Sequence, residues 1–181
     1  MPTPTLRSVD RQRPPNWAVR QRDLINVMNL AAVPFVDYST RPDGTLIQRT
    51  VWTSMDGTDN GYEAFLSLLQ SHVRYFDAER RRPGLPQHVA ALTEKVTAEN
   101  IGLTLINTDA VNCRSVLIQS GCFAEHQFTG ATIAGNDGDE QHMEVDGTRF
   151  QVHLGPSAQA RICIGLKRYC HRPTYEFPGI E

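Results

Sequence analysis

Three carboxylates stand close together in one polar segment, Met55-Asp56-Gly57-Thr58-Asp59-Asn60-Gly61-Tyr62-Glu63. Paired carboxylates are what glycoside hydrolysis uses, one as acid and the other as base or nucleophile. Carboxylates on a glycine-rich loop also hold calcium, but the spacing D-x-[DN]-x-[DN]-G is not met here. The local sequence by itself favours a plainer role: Asp59 or Asn60 caps a helix that follows, and Glu63 sits in its first turn, where the helix dipole favours a negative charge. No catalytic role is assigned to Asp56, Asp59 or Glu63 on the local sequence.

The other reactive side chains are scattered. His72, His88, His126, His142, His153 and His171 follow no metal-ligand spacing, so structural or exposed roles are expected for them, with no metal and no cofactor. Cys113, Cys122, Cys163 and Cys170 contain no C-x-x-C pair, which leaves a zinc ribbon or thioredoxin-like site unsupported. Cys163, in Arg161-Ile162-Cys163-Ile164, reads as a small strand residue. Arg80-Arg81-Arg82 could meet a phosphate or an acidic sugar, but a solvated connection before Pro83-Gly84-Leu85-Pro86 is the simpler reading. No G-x-S-x-G elbow, P-loop or G-x-G-x-x-G occurs.

The elements that must position these residues follow from periodicity. Residues 1 to 15, with prolines at 2, 4, 14 and 15, read as an extended arm. Asn16 caps a helix from Trp17 whose apolar face is Val19, Leu24, Val27, Met28 and Ala31, and Pro34 should end or kink it. A second short helix is expected from about Tyr62 to Leu69. From His72 onward the period is two. Strands are expected at about 89–96, 101–107, 114–119, 124–133, 142–146, 149–154 and 159–167. Phe150, Val152 and Leu154 share one face, with Gln151 and His153 on the other. Glu99-Asn100 turns the first pair, and Asp146-Gly147 signals a two-residue hairpin. This pattern predicts a mainly β chain: an antiparallel β-sandwich with an N-terminal helical extension, α+β overall. The expected division is 1–70 for the arm, helix and carboxylate-rich loop, and 71–181 for the sandwich.

Length and composition bound the function. The chain has 181 residues, 40% hydrophobic and 21% charged, which suits a packed core. The formal net charge is -2 and aromatics are 8%, so a nucleic-acid partner is not expected. No apolar run approaches the roughly 20 residues of a membrane span, so no membrane partner is expected. The Arg-rich stretch from Met1 to Arg22 is not followed by an apolar region, so no secretory signal peptide is expected. Four cysteines permit three disulfide pairings, but without a signal peptide free thiols in a reducing, cytoplasmic compartment are the favoured expectation. A (β/α) barrel of about 250 residues does not fit this length.

Several segments resemble a functionally uncharacterised family of long bacterial proteins. They are Arg13-Pro14-Pro15-Asn16-Trp17-Ala18-Val19-Arg20-Gln21-Arg22, Thr40-Arg41-Pro42-Asp43-Gly44-Thr45-Leu46-Ile47 and the loop Met55 to Glu63. Further on they are Val73 to Pro86, Ser115 to Gly121, Ala124 to Phe128, Gly165 to Tyr169 and Arg172 to Tyr175. That family resembles helical-toroid (α/α-hairpin) glycosidases and polysaccharide lyases with a C-terminal β-sandwich. The resemblance implies a carbohydrate-active enzyme family, and Asp56, Asp59 and Glu63 as remnants of a substrate-binding wall. It also implies that N-terminal and C-terminal pieces meet near Phe65 to Ser71 with the central helical region missing, through a deletion, a gene-model error or deliberate truncation. Acid and base in such toroids come from several loops around the ring, so this chain is expected to be catalytically incomplete. Two alternatives stand beside this reading. One is a non-enzymatic sandwich binding a glycan or a partner protein, with Tyr75, Phe76, Phe123 and Phe128 as a candidate aromatic row. The other is a structural accessory domain that self-associates through apolar surface at residues 62 to 69.

Overall fold

The computed structural model describes residues 3–39, 73–134, 140–174, 176 and 178. Among them one helix and ten strands occur in the order β1 (Thr5–Ser8), α1 (Asn16–Ser39), β2 (Val73–Asp77), β3 (Arg82–Pro83), β4 (Val89–Val96), β5 (Asn100–Asn107), β6 (Arg114–Ser120), β7 (Gln127–Ala134), β8 (Glu140–Gly147), β9 (Arg149–Leu154) and β10 (Gln159–Lys167). They form two five-stranded sheets, β1-β9-β6-β2-β3 and β4-β5-β10-β7-β8. Every pairing is antiparallel except that of β1 with β9. The chain divides into two compact units, Met1–Arg22 with Ser71–Glu181, and Asp23–Gln70.

The sandwich follows from alternation. Along β9, Phe150, Val152 and Leu154 are fully buried while Gln151 and His153 are half-buried on the opposite face. Along β10 the buried Ala160, Ile162, Ile164 and Leu166 alternate with Arg161, Cys163, Gly165 and Lys167. One core joins these inner faces with Ile101, Leu103 and Leu105 of β5 and Val116 and Ile118 of β6. Phe128 of β7 and Phe150 of β9 meet across the two sheets, ring centroids 5.1 Å apart and nearly perpendicular. Tyr75 of β2 also faces inward, and burial pushes its phenol up to about 12, a rise that a hydrogen bond with the Thr93 side chain partly offsets.

Four local expectations are changed. The N-terminal arm is partly a strand: Thr5 to Ser8 pair in parallel with Gln151 to Leu154, and Arg11 bridges to Ala158. Asp146-Gly147 is not a hairpin. Gly147 still pairs with Phe128, Arg149 already pairs with Gln119, and the Ser120 N–H donates to the Thr148 carbonyl at 2.9 Å, so the chain crosses here from one sheet to the other. Val145 and Phe150 thereby enter the same core from opposite sides. Pro34 does not end α1, which runs to Ser39 although proline has no N–H for the ladder. Finally, the buried side chains at the start of α1 are Ala18 and Arg22, whereas Leu24 and Val27 are 60% and 61% exposed.

The first turns of α1 seal the free edge of β4. The Gln21 carboxamide donates to the Ala91 carbonyl at 2.7 Å and accepts the Ala91 N–H at 2.8 Å, as a neighbouring strand would. The Arg22 guanidinium donates to the Val89 carbonyl at 2.9 Å. Ala18 and Trp17 pack on Ala90 and Ile106, at one end of the outer face of this sheet.

After β6 the chain turns through Gly121, whose φ of +76 favours glycine, and a Cβ there would collide with the Glu125 carboxylate. That carboxylate accepts the Phe123 N–H at 2.7 Å. Gly121→Ala is expected to destabilise the fold by about 1–3 kcal/mol, read from the urea midpoint. An unchanged midpoint would show that the loop relaxes at no cost.

Candidate functional site

The outer face of β4-β5-β10-β7-β8 carries a shallow cavity with charged residues in its lining. Pairing register sets its rows. Thr104, Arg161, Ala134 and Glu140 lie side by side on β5, β10, β7 and β8. The next row is Lys95, Gly102, Cys163, Thr132 and His142. The middle of the second row, Gly102, Cys163 and Thr132, is built of small side chains, and beside it the first row carries Arg161 on the central strand, so the face forms a shallow trough next to that side chain. Its volume is about 210 Å3, and Glu94, Thr104, Thr132, Glu140, Arg161 and Cys163 contribute to its lining. Glu94 reaches it because β4 shifts register between Thr93 and Lys95.

Hydrogen bonds fix part of this surface. The buried Thr104 hydroxyl donates to Glu94 Oε1 at 2.6 Å, which holds that carboxylate beside the trough. The Thr132 hydroxyl and His142 Nδ1 are 3.0 Å apart. A side chain at Gly130 would press on the His142 ring, so glycine there leaves the ring its place. Arg161 makes no hydrogen bond or ion pair among the described residues and is exposed, as is Cys163.

Other polar clusters serve the fold. Asp109 accepts the backbone N–H groups of Val111 at 2.9 Å and Asn112 at 3.0 Å, and Arg114 Nη2 lies 2.6 Å from it. These hydrogen bonds, the backbone ones foremost, hold its carboxyl well below the usual range. His126 is buried, and its Nδ1 accepts the Tyr169 N–H at 3.0 Å. A ring nitrogen that accepts carries no proton, so the ring proton sits on Nε2. Ser115 and His153 are directly opposed on β6 and β9, Oγ to Nδ1 3.0 Å, on the other sheet's outer face. Asp77 accepts the Arg80 N–H at 3.1 Å and lies 3.5 Å from Arg82 Nε, so two members of the arginine run serve the β2–β3 turn. Arg80 also donates to Gln87 at 2.8 Å.

Asp56, Asp59 and Glu63 lie outside the described residues, as do residues 62 to 69. The candidate aromatic row does not form. Phe76 and Phe128 are buried, Tyr75 packs on the core and Phe123 is half-buried. Phe128 fills an apolar position of the core, whereas Phe76 is buried on the other face of β2 from Val73 and Tyr75, with the Arg74 guanidinium 5.1 Å from its ring. The trough residues escaped attention because none belongs to a motif. The available signal was the alternation in Arg161-Ile162-Cys163-Ile164, which puts Arg161 and Cys163 together opposite the core. Among the described residues no group of three or more His, Cys, Asp or Glu could hold a metal ion. No helix among them is long and apolar enough to cross a membrane.

Fold and site thus define a two-sheet sandwich with an N-terminal helix and a shallow trough on one outer face. Residues 6–102 match the family model described as "Domain of unknown function (DUF8034)". The match spans more than half of the 181 residues, and the chain belongs to that family. The matched segment stops inside β5, which pairs on its other side with β10, so it supplies Glu94 and Gly102 of the trough but not Arg161 or Glu140. Neither the curated proteins nor the solved structures give a match.

Proposed function

We propose that the sandwich is the sugar-contacting, non-catalytic part of a carbohydrate-active protein. The trough carries this reading. It is open, its lining combines apolar surface with Gly102 and Cys163, and Glu94, Thr104, Thr132, Glu140 and Arg161 bring groups that donate or accept hydrogen bonds. Sugar hydroxyls need that mixture, since each both donates and accepts. At about 210 Å3 the trough is smaller than the roughly 300–1,000 Å3 of pockets for drug-sized ligands, which suits one ring. The resemblance of several segments to a family that itself resembles toroid glycosidases and lyases agrees with it. On this reading catalysis needs a second wall, for which the loop with Asp56, Asp59 and Glu63 is the sequence candidate.

Titration of the 15N-labelled chain with simple methyl glycosides is the test. Amide shifts should concentrate on β5, β10 and β7, with Kd near 1 mM, or roughly -4 kcal/mol. Shifts confined to other surfaces, or none at saturating sugar, would overturn the reading.

A further inference from the structure

We infer that the ring taken by the trough is a neutral, unsubstituted sugar rather than an acidic or an amino sugar. This rests on the sugar-binding reading and adds the charge class of the ligand. The order of charges along the lining sets this preference. Arg161 stands on the central strand β10, with only Thr104 and Ala134 beside it in its row. Its guanidinium offers five N–H donors and no acceptor. On either side of it a carboxylate lines the trough, Glu94 from the edge strand β4 and Glu140 from the edge strand β8. Neither forms an ion pair with Arg161 among the described residues, so all three keep capacity for a ligand.

The three ligand classes fare differently. A uronic or sulfated ring gains Arg161 but meets Glu94 and Glu140, and like charges brought together in a recess disfavour binding. A protonated amino sugar gains the carboxylates but meets the guanidinium at the centre. A neutral polyol satisfies all three at once. Its hydroxyl oxygens accept from Arg161, and its hydroxyl protons are donated outward to the two carboxylates. These bonds are charge-assisted on the protein side. The Thr104 hydroxyl takes one acceptor site of Glu94, on Oε1, and the carboxylate keeps its others for a ligand. Lys95 and His142 end the neighbouring row and are not among the residues that line the cavity.

The experiment titrates the full chain with methyl glucoside, methyl glucuronide and glucosamine, monitored by amide shifts on β5, β10 and β7. The glucoside is expected to bind about tenfold more tightly than either charged ring. Glu140→Gln should narrow the gap between glucoside and glucuronide. Arg161→Ala should weaken the glucoside about tenfold with the fold intact by its amide spectrum. If the glucuronide or glucosamine binds as well as the glucoside, the inference fails and sugar binding stands. If no ring perturbs the trough amides, both fail together.

Discussion

Phe128→Ala lowers the unfolding free energy by about 3–5 kcal/mol. Phe128 is fully buried, and its ring meets that of Phe150 at 5.1 Å. The two rings belong to different sheets, so the contact couples the layers rather than neighbours within one layer. Collapse of the site after truncation is hindered by the backbone around it. Both of the β7 pairings shift register just after Phe128, where Thr129 bulges out over Gly165, a position whose missing side chain makes room for the Thr129 hydroxyl. Since whole domains of this kind are stable by only about 5–15 kcal/mol, the variant should unfold within mild denaturant. Urea titration of Phe128→Ala, Phe150→Ala and the double variant reads the coupling, expected at about 0.5–1.5 kcal/mol. A loss below about 1 kcal/mol for Phe128→Ala would show that the inter-sheet core is held elsewhere.

The strands were legible in the sequence because each carries its instruction locally. Residues 149–154 and 159–167 alternate without interruption, and the observed β9 and β10 have those limits. The Thr97–Asn100 turn was equally local: Thr97 N–H and the Asn100 carbonyl close it at 2.8 Å, with the Thr97 hydroxyl accepting the Asn100 N–H. Sheet membership was not local. Asp146-Gly147 has the composition of a hairpin, and only the competition of β6 for β9, and of β7 for β8, sends the two strands into different layers. The same limit hid β1, four residues whose partner lies at positions 151 to 154. It also hid the role of Gln21, whose carboxamide completes the edge of a strand 70 positions away.

The candidate site was legible only in part for the same reason. The sequence drew attention to clustered charge at Asp56, Asp59 and Glu63, since proximity along the chain is visible there. The trough assembles residues from 94 to 163 that come together through register alone. Single-strand alternation placed Arg161 and Cys163 outward. Nothing in it placed Glu140 or Glu94 on the same recess, because that requires the order of strands β4-β5-β10-β7-β8. Such a site has no spacing signature by construction of the fold: each strand contributes one or two positions, and the interval between them is set by loops.

Asn107→Leu costs about 2–4 kcal/mol despite being close to isosteric and adding apolar surface to a buried position. Asn107 is 0% exposed at the end of β5. Its side-chain amide donates to the carbonyls of Asn112 at 2.8 Å and Gly155 at 2.9 Å, and its carbonyl oxygen accepts the Asp109 N–H at 3.0 Å. Leucine returns none of these bonds. The exposed Asn112 region regains water, but the buried Gly155 carbonyl does not, and an unsatisfied buried acceptor carries the larger share of the cost. The loss then spreads. Asp109 receives the Ser157 N–H on its own carbonyl at 2.8 Å and organises Val111, Asn112 and Arg114 through its carboxylate, so loosening its backbone frees the whole β5–β6 connection. Hydrogen exchange at Val111 and Asn112 should therefore accelerate along with the drop in the urea midpoint. Asn107→Asp keeps the acceptor for the Asp109 N–H but places a carboxylate against two carbonyls, and it should be at least as destabilising at neutral pH. Unchanged exchange at Val111 and Asn112 in the leucine variant would mean that Asp109 holds the connection without Asn107.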